Sequence, residues 1–316
     1  MEKISERDSI VILGGTGFLG QHLVHQLAPL GARIRLVSRH GETESNKHLR
    51  ICGAVGQIGF ERVDITRQSS IEKVLYDATH IVNLLGTMHP TRKYSFALMH
   101  TDVPDLVARI AAHDKVKRLV HISALACDKA KTSQYALTKL LGEDRVKHEF
   151  LDATIIRPSV MFGHEDNFLN MFAKMSKYMP FLPLLGGGNT KMQPVYVEDV
   201  AKAIVMALTM EKGQVCGRTF EVVGPHVYTF ADLMRYILKV TGRHRLLLPI
   251  PFWLAKMEAT LLEKLPTPPL TRDQVELFKY HNILPPHHKN GLELLGITPT
   301  PMELIMTDHF KRQVYY

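Results

Sequence analysis

Cysteine is scarce and scattered: Cys52, Cys127 and Cys216 are the three in 316 residues. An odd number without a C-x-x-C spacing excludes a disulfide framework and points to reduced thiols. The 17 histidines lack ligand spacing too, His287-His288 included, so no metal is expected. No stretch reaches the roughly 18 consecutive apolar residues of a membrane span. The longest candidate, 246–255, is too short and is interrupted by Pro249 and Pro251. Residues 1–8 hold no apolar segment and are not acid-poor, so neither a secretory signal nor a transit peptide is expected there, and the chain reads as cytoplasmic. The net charge of +8 is interspersed, with no basic run and no interleaved aromatic stripe. Nucleic acid is therefore not an expected partner, whereas a mild positive field suits phosphorylated cofactors or an anionic surface.

What is present begins at Ser9. Four apolar residues, Ile10-Val-Ile-Leu13, run into Gly14-Gly-Thr-Gly17-Phe-Leu-Gly20, and a helical pattern of leucines follows at 19, 23, 27 and 30. The turn reads as Gly15-x-Gly17-x-x-Gly20 or as Gly14-x-x-Gly17-x-x-Gly20. A strand feeding a glycine turn that opens a helix is a phosphate cradle: glycines admit the backbone to a pyrophosphate, and the helix start offers free N–H groups and partial positive charge. Gly14, Thr16, Gly17, Phe18, Leu19 and Gly20 are the expected cradle; the alternative is a glycine turn that only packs a helix on a strand. Further strands are expected at 33–37, 58–63, 81–85, 118–122 and 154–156, with helices at 98–112 and 135–148 between them. This alternation predicts an α/β fold, a doubly wound Rossmann-type parallel sheet with ligand at the carboxyl ends of its strands. Residues 1–160 would form the dinucleotide-binding core, with later returns around 192–225. Residues 161–316 would form a smaller, mostly helical region facing substrate or partner.

Strand two ends at Ser38-Arg39-His40. A carboxylate there would suit the ribose hydroxyls of NAD(H); a guanidinium suits a 2′-phosphate, so NADP(H) is preferred over NAD(H), the alternative being a solvated strand end. Asp64 and Ile65 after strand three are placed at the adenine, the Asp bonding its amino group, and Leu84, Leu85 and Gly86 after strand four would line the cofactor with backbone. Tyr135-Ala-Leu-Thr-Lys139 is the one Tyr-x-x-x-Lys in the chain. Spacing i, i+4 sets both side chains on one helical face. A nearby ammonium favours the phenolate, so this Tyr is a candidate proton shuttle, with Ser123 at the end of strand five presenting a hydroxyl on the same edge. The alternative is a Tyr capping a core and a Lys paired with Glu143. Pro158 and Ser159 follow strand six, Pro158 breaking it at the nicotinamide end, where the loop would wall off the reactive ring with Phe162 as a lid; the alternative is a plain strand-ending turn.

The second half is punctuated differently. A Pro/Gly-rich loop is expected at 178–188, a strand at 193–197, a helix at 198–209, a strand at 218–223, and a helix capped by Thr229 with Asp232. From Leu246 the pattern reads as helical, and Phe252, Trp253, Leu254, Met257, Leu261 and Leu262 form an apolar stripe beside Lys256 and Lys264. Such stripes are usually core-facing; contact with a membrane surface or a partner is the alternative.

Gly14-x-x-Gly17-x-x-Gly20, Ser123, Tyr135-x-x-x-Lys139 and Arg157-Pro158-Ser159 stand in the order of the short-chain dehydrogenase/reductase superfamily, and the chain resembles its extended or atypical, epimerase/dehydratase-like branch. Ile156-Arg-Pro-Ser-Val-Met-Phe-Gly-His-Glu-Asp-Asn-Phe-Leu-Asn170, Gln193-Pro-Val-Tyr-Val-Glu-Asp199-Val-Ala, Thr271-Arg-Asp-Gln-Val-Glu-Leu and Leu295-Gly-Ile-Thr-Pro-Thr300 are similar to the family of the nucleotide-binding accessory subunit of respiratory complex I. The resemblance implies a tightly bound NADP(H), structural rather than turned over in the mitochondrial subunit, while bacterial relatives include free-standing reductases and helpers in quinone metabolism. Three functions follow: an NADP(H)-dependent oxidoreductase acting on a carbonyl or hydroxyl of an apolar, quinone-precursor-like molecule; a non-catalytic accessory or assembly subunit docked on the membrane enzyme or at the inner-membrane surface; or a nucleotide-sugar epimerase/dehydratase, for which Arg157, Arg218 and Arg243 are the available diphosphate ligands.

Overall fold

The computed structural model describes residues 4–265 and 268–315; the first three residues of the N-terminal segment lie outside them. The chain runs β1 (Ser9–Leu13), α1 (Phe18–Leu27), β2 (Arg33–Ser38), β3 (Ile58–Arg62), α2 (Gln68–Leu75), β4 (His80–Asn83), α3 (Val103–His113), β5 (Arg118–Ile122), α4 (Gln134–Glu149) and β6 (Thr154–Pro158). It continues through β7 (Met161–Phe162), α5 (Phe168–Tyr178), β8 (Phe181–Leu185), β9 (Lys191–Met192), β10 (Val195–Tyr196), α6 (Val197–Thr209), α7 (Lys212–Val215), β11 (Thr219–Val222) and β12 (Tyr228–Thr229). The remainder is α8 (Phe230–Val240), β13 (Leu246–Ile250), α9 (Phe252–Leu262), α10 (Arg272–Leu277), α11 (Gly291–Leu294) and α12 (Met302–Tyr315).

Seven strands make one parallel sheet in the order β11-β6-β5-β4-β1-β2-β3. The order reverses between β1 and β4, and that switch opens a crevice at the carboxyl edge. All five residues of β1 are buried, as a central parallel strand covered on both faces requires. Ile10 and Ile12 pack with Leu23 of α1 and Ile204 of α6 on one face. Val11 and Leu13 pack with Val74 of α2, Val107 of α3 and Val146 of α4 on the other. A further core gathers Phe230, Leu233 and Ile237 of α8, Leu182 and Leu184 of β8, Ala255 and Ala259 of α9, and Met306 and Phe310 of α12.

Two segments depart from expectation. Within the anticipated loop at 178–188, Phe181–Leu185 is a strand, paired in parallel with Leu246–Ile250, which read as helical. Pro183 and Pro249 explain both: each removes an N–H and clashes with a preceding turn inside a helix, yet is tolerated in a short two-stranded pairing, and Pro251 then stands at the cap of α9. The apolar stripe of α9 is divided between core and surface, with Phe252, Leu254 and Leu262 half-buried. Trp253, Met257 and Leu261 are exposed, while Ala255 and Ala259 are fully buried. Ala255 and Ala259 pack closely, Phe252 and Leu254 lie against the same core, and Trp253, Met257 and Leu261 point away from it. Among the described residues, no helix is long and apolar enough to cross a membrane.

Candidate functional site

The glycine turn is built as a cradle. Gly14 adopts φ +79°, a left-handed conformation that disfavours side chains, and its N–H donates to Val37 O at 2.8 Å. A Cβ on Gly20 would lie 2.4 Å from Gly15 O, so α1 approaches the turn as only glycine permits. Helix α1 starts after Gly17 with no side-chain cap and no acidic residue in its first turn. Its leading N–H groups, from Phe18 and Leu19, are thus left to an anion. The Leu19 side chain is buried in the core, the Phe18 ring lies against Gly163 and edge-on to His22, and Thr16 O accepts from Gln21 Nε2.

Arg39 and His40 stand exposed just past β2, and the Arg39 guanidinium lies 5.1 Å above the Tyr94 ring. Asp64 is less free than its sequence position suggests. One carboxylate oxygen accepts from Thr66 N and Oγ1, the other from Lys93 at 3.3 Å, and these bonds hold its pKa below the usual range. Ile65 is buried in the core. Leu84 lies over Gly14, and Leu85 N donates to Asn83 Oδ1.

Ser123, Tyr135 and Lys139 converge beyond this strip. Lys139 is buried and donates to Ile122 O at 2.9 Å and Leu85 O at 3.5 Å; a Cβ on Gly86 would come within 3.3 Å of its Nζ. Burial pulls the Lys139 pKa down to about 8, opposed by Glu143 and Cys127. Lys139 is not paired with Glu143: that fully buried carboxylate takes a two-pronged bond from Arg157, at 2.8 and 2.7 Å. A planar guanidinium outcompetes an ammonium for both oxygens. Nor does the ammonium make Tyr135 acidic. Burial raises the phenol, and Cys127 and Asp273 push the same way, so Tyr135 is held protonated. Ser123 is buried, with Oγ 3.9 Å from Cys127 Sγ. The Cys127 thiol is pushed up to about 12 by burial and Glu143.

Past β6, Pro158 is the last residue of the strand rather than a break before its end, and its carbonyl accepts from Leu125 N. The Ser159 hydroxyl is engaged by Asn282 Oδ1. Phe162 is no lid: it is 1% exposed in β7 and stacks on Tyr196. The three arginines do not gather. Arg157 is held by Glu143 and Glu221, Arg218 bonds Gln214 O, and Arg243 bonds Ala173 O and Ser176 Oγ.

Several residues of the site were not legible in advance. His100 sits in a turn of π-helix, Leu98–Asp102, ahead of α3. Its Nε2 accepts from Thr87 N, so its proton is on Nδ1, 3.0 Å from Thr138 Oγ1; its ring meets Tyr135 edge-on at 5.1 Å. Burial and the nearby Lys139 depress it to about 3, so it stays neutral. Beside it His121 is fully buried and also depressed; Asn83 reaches its Nδ1, and Nε2 has no hydrogen-bond partner. Asp273, at the start of α10, accepts from Ser133 Oγ, Gln134 N and Tyr135 N, closing the N-terminus of α4 from far along the chain. Asn282 ties Leu125 O, Val160 N and Ser159 together. The capping pattern at Thr271 could have located Asp273 on a helix start, but nothing local could have named its partner. Among the described residues, no three His, Cys, Asp or Glu side chains gather as a metal site.

Known proteins resemble this chain in sequence and in fold. The model of the NAD dependent epimerase/dehydratase family matches residues 10–223. The chain is 34% identical over 307 residues to the mouse (Mus musculus) NADH dehydrogenase (ubiquinone) 1 alpha subcomplex subunit 9, mitochondrial, covering 96% of this chain and 80% of the relative. It is 27% identical over 247 residues to the ceramide reductase of Caulobacter vibrioides, covering 78% and 74%. Among solved structures, UDP-glucuronic acid 4-epimerase from Bacillus cereus, in complex with UDP-glucuronic acid and NAD, superposes with a TM-score of 0.66 at 18% identity, covering 96% of this chain and 99% of that one. The last is a likeness of fold. With the glycine cradle, the seven-stranded parallel sheet and a family match across most of both, the chain belongs to the NAD dependent epimerase/dehydratase family, whose name carries its nicotinamide dinucleotide.

Proposed function

We propose that this chain holds NADP(H) along the carboxyl edge of its sheet and moves a proton on the carbonyl or alcohol oxygen of an apolar, quinone-precursor-like substrate. The observation that carries this reading is Tyr135 at the start of α4 with Lys139 one turn on, its ammonium against the Leu85–Gly86 strip. The uncapped, acid-free start of α1 and a turn too tight for side chains fit a diphosphate. Gly14, Thr16, Gly17, Phe18, Leu19 and Gly20 would hold it; Arg39 and His40 would take the 2′-phosphate, and Asp64 and Ile65 the adenine. Leu84, Leu85, Gly86, Pro158 and Ser159 would line the nicotinamide side with Tyr135 and Lys139.

When bound, the nicotinamide supplies a hydride to a carbonyl carbon or accepts one from an alcohol. In the reducing direction, Tyr135, kept protonated by its burial, gives its hydroxyl proton to the carbonyl oxygen, leaving an alcohol and a phenolate. Lys139, whose burial lowers its pKa to about 8, would supply a proton for rebuilding the phenol. The Ser123 hydroxyl would donate to the same oxygen. The dispersal of Arg157, Arg218 and Arg243 disfavours a diphosphate sugar. The test is NADPH consumption against a panel of apolar ketones and quinone precursors. Tyr135→Phe should lower kcat by about 10²- to 10⁴-fold and leave NADPH affinity unchanged; equal rates in both proteins overturn the reading.

A second reading is favoured by similarity over nearly the whole chain to a subunit of mitochondrial NADH dehydrogenase. Here the nucleotide braces the fold while the chain docks on respiratory complex I, peripheral to the inner membrane. Under it, Tyr135→Phe leaves cellular respiration unchanged, and variants that lose the nucleotide impair it.

A further inference from the structure

The face made by β13 and α9 has no role in the cofactor site. On α9, Trp253, Met257 and Leu261 recur every fourth residue and are 66%, 61% and 66% exposed. The buried Ala255 and Ala259 lie about 200° around the helix, on its opposite side. In β13, the strand that leads into α9, Leu246 and Leu248 are exposed as well. Three large apolar side chains in a row on a free helix face are unusual on a soluble surface and mark a contact.

The charge beside this surface says with what. Leu246 also lines a cleft of about 700 Å³ whose other walls include Lys239, Arg243, His244 and Arg245, together with Arg235, which is paired with Asp232. Arg243 and Arg245 are fixed in place by bonds to Ala173 O, Ser176 Oγ and Ser176 O. An apolar helix face with an interfacial tryptophan, together with exposed strand leucines and a basic cleft, complements an anionic phospholipid bilayer: headgroup phosphates on one part, the acyl boundary on the other.

We propose that the β13–α9 face seats this protein on an anionic bilayer, Trp253, Met257 and Leu261 entering the interface and the Arg235–Arg245 cleft engaging lipid phosphates. It deepens the docking reading by naming a lipid surface, and does not depend on the redox one. Trp253 is the only tryptophan in the chain, so intrinsic fluorescence reports this helix alone. With the full-length protein and vesicles of phosphatidylcholine plus phosphatidylglycerol, the emission should shift to the blue and become shielded from iodide. Binding should weaken as salt rises, and pure phosphatidylcholine should give little change. Lys239→Ala should weaken partitioning about fivefold, and Met257→Glu with Leu261→Glu should abolish it while cofactor affinity stays as in the wild type. No blue shift on anionic vesicles overturns the proposal. So does equal binding to neutral and anionic vesicles, or shielding of Trp253 by purified membrane-enzyme subunits but not by lipid. Loss of cofactor binding in an otherwise lipid-binding protein would overturn the redox reading and leave this one standing.

Discussion

At the scale of single residues, the site separates charge from proton. Arg157 takes the carboxylate that a helical spacing of four offers to Lys139, so Lys139 is left buried on backbone carbonyls. Its pKa of about 8 compares with 10.5 in the unfolded chain. Between those values the unfolded state binds more protons, so stability rises with pH there and is lost as pH falls through 8. Urea denaturation should show wild type gaining on the order of 3 kcal/mol relative to Lys139→Met between pH 8 and 10.5; parallel curves would show that Lys139 titrates normally. Arg39 offers a second test. Arg39→Asp removes one charged bond to a 2′-phosphate, about 1.5–3 kcal/mol, so NADPH should bind roughly 10- to 100-fold more weakly. NADH affinity should hold or improve. An unchanged NADPH-to-NADH ratio in titration would show that the guanidinium, stacked on Tyr94, does not read the phosphate.

At the scale of elements, α4 is held at three points: Lys139 to the ends of β4 and β5, Glu143 to β6 through Arg157, and its first turn to α10 through Asp273. The last contact spans 138 residues, and it makes the position of Tyr135 depend on the C-terminal region. Asp273→Ala strips the helix start of its acceptor and should cost about 1–2 kcal/mol of stability. Amide exchange should quicken at Tyr135 and its neighbours and not in α1, and kcat should fall with little change in KM for NADPH. Uniform exchange across the protein would show no privileged link.

The same element explains what sequence alone could convey. β1, the glycine turn and α1 were legible because strand, turn and helix signals are contiguous, and Tyr135 and Lys139 because a helix converts a spacing of four into a shared face. β8 and β13 were not, since proline-broken apolar runs of five carry neither helical nor strand period. The division of the α9 stripe into a core side and an exposed side was not legible, because periodicity finds an apolar face without saying how much of it is covered. Phe162, His100 and Asp273 needed tertiary placement that no local pattern encodes.

At the scale of the whole molecule, a sheet that reverses order beside its glycine turn meets a C-terminal region that closes the site and carries an unpartnered apolar face. One prediction spans both halves: a dinucleotide bridging from the α1 start to Tyr135 should stabilise the protein as a unit. At a concentration about a hundredfold above Kd it should add about 2.7 kcal/mol. Calorimetric titration of the purified, nucleotide-free protein with NADPH and NADH measures the binding itself. One saturable site per chain, tighter for NADPH, is expected; no binding of either coenzyme to folded protein would refute the dinucleotide site and everything built on it.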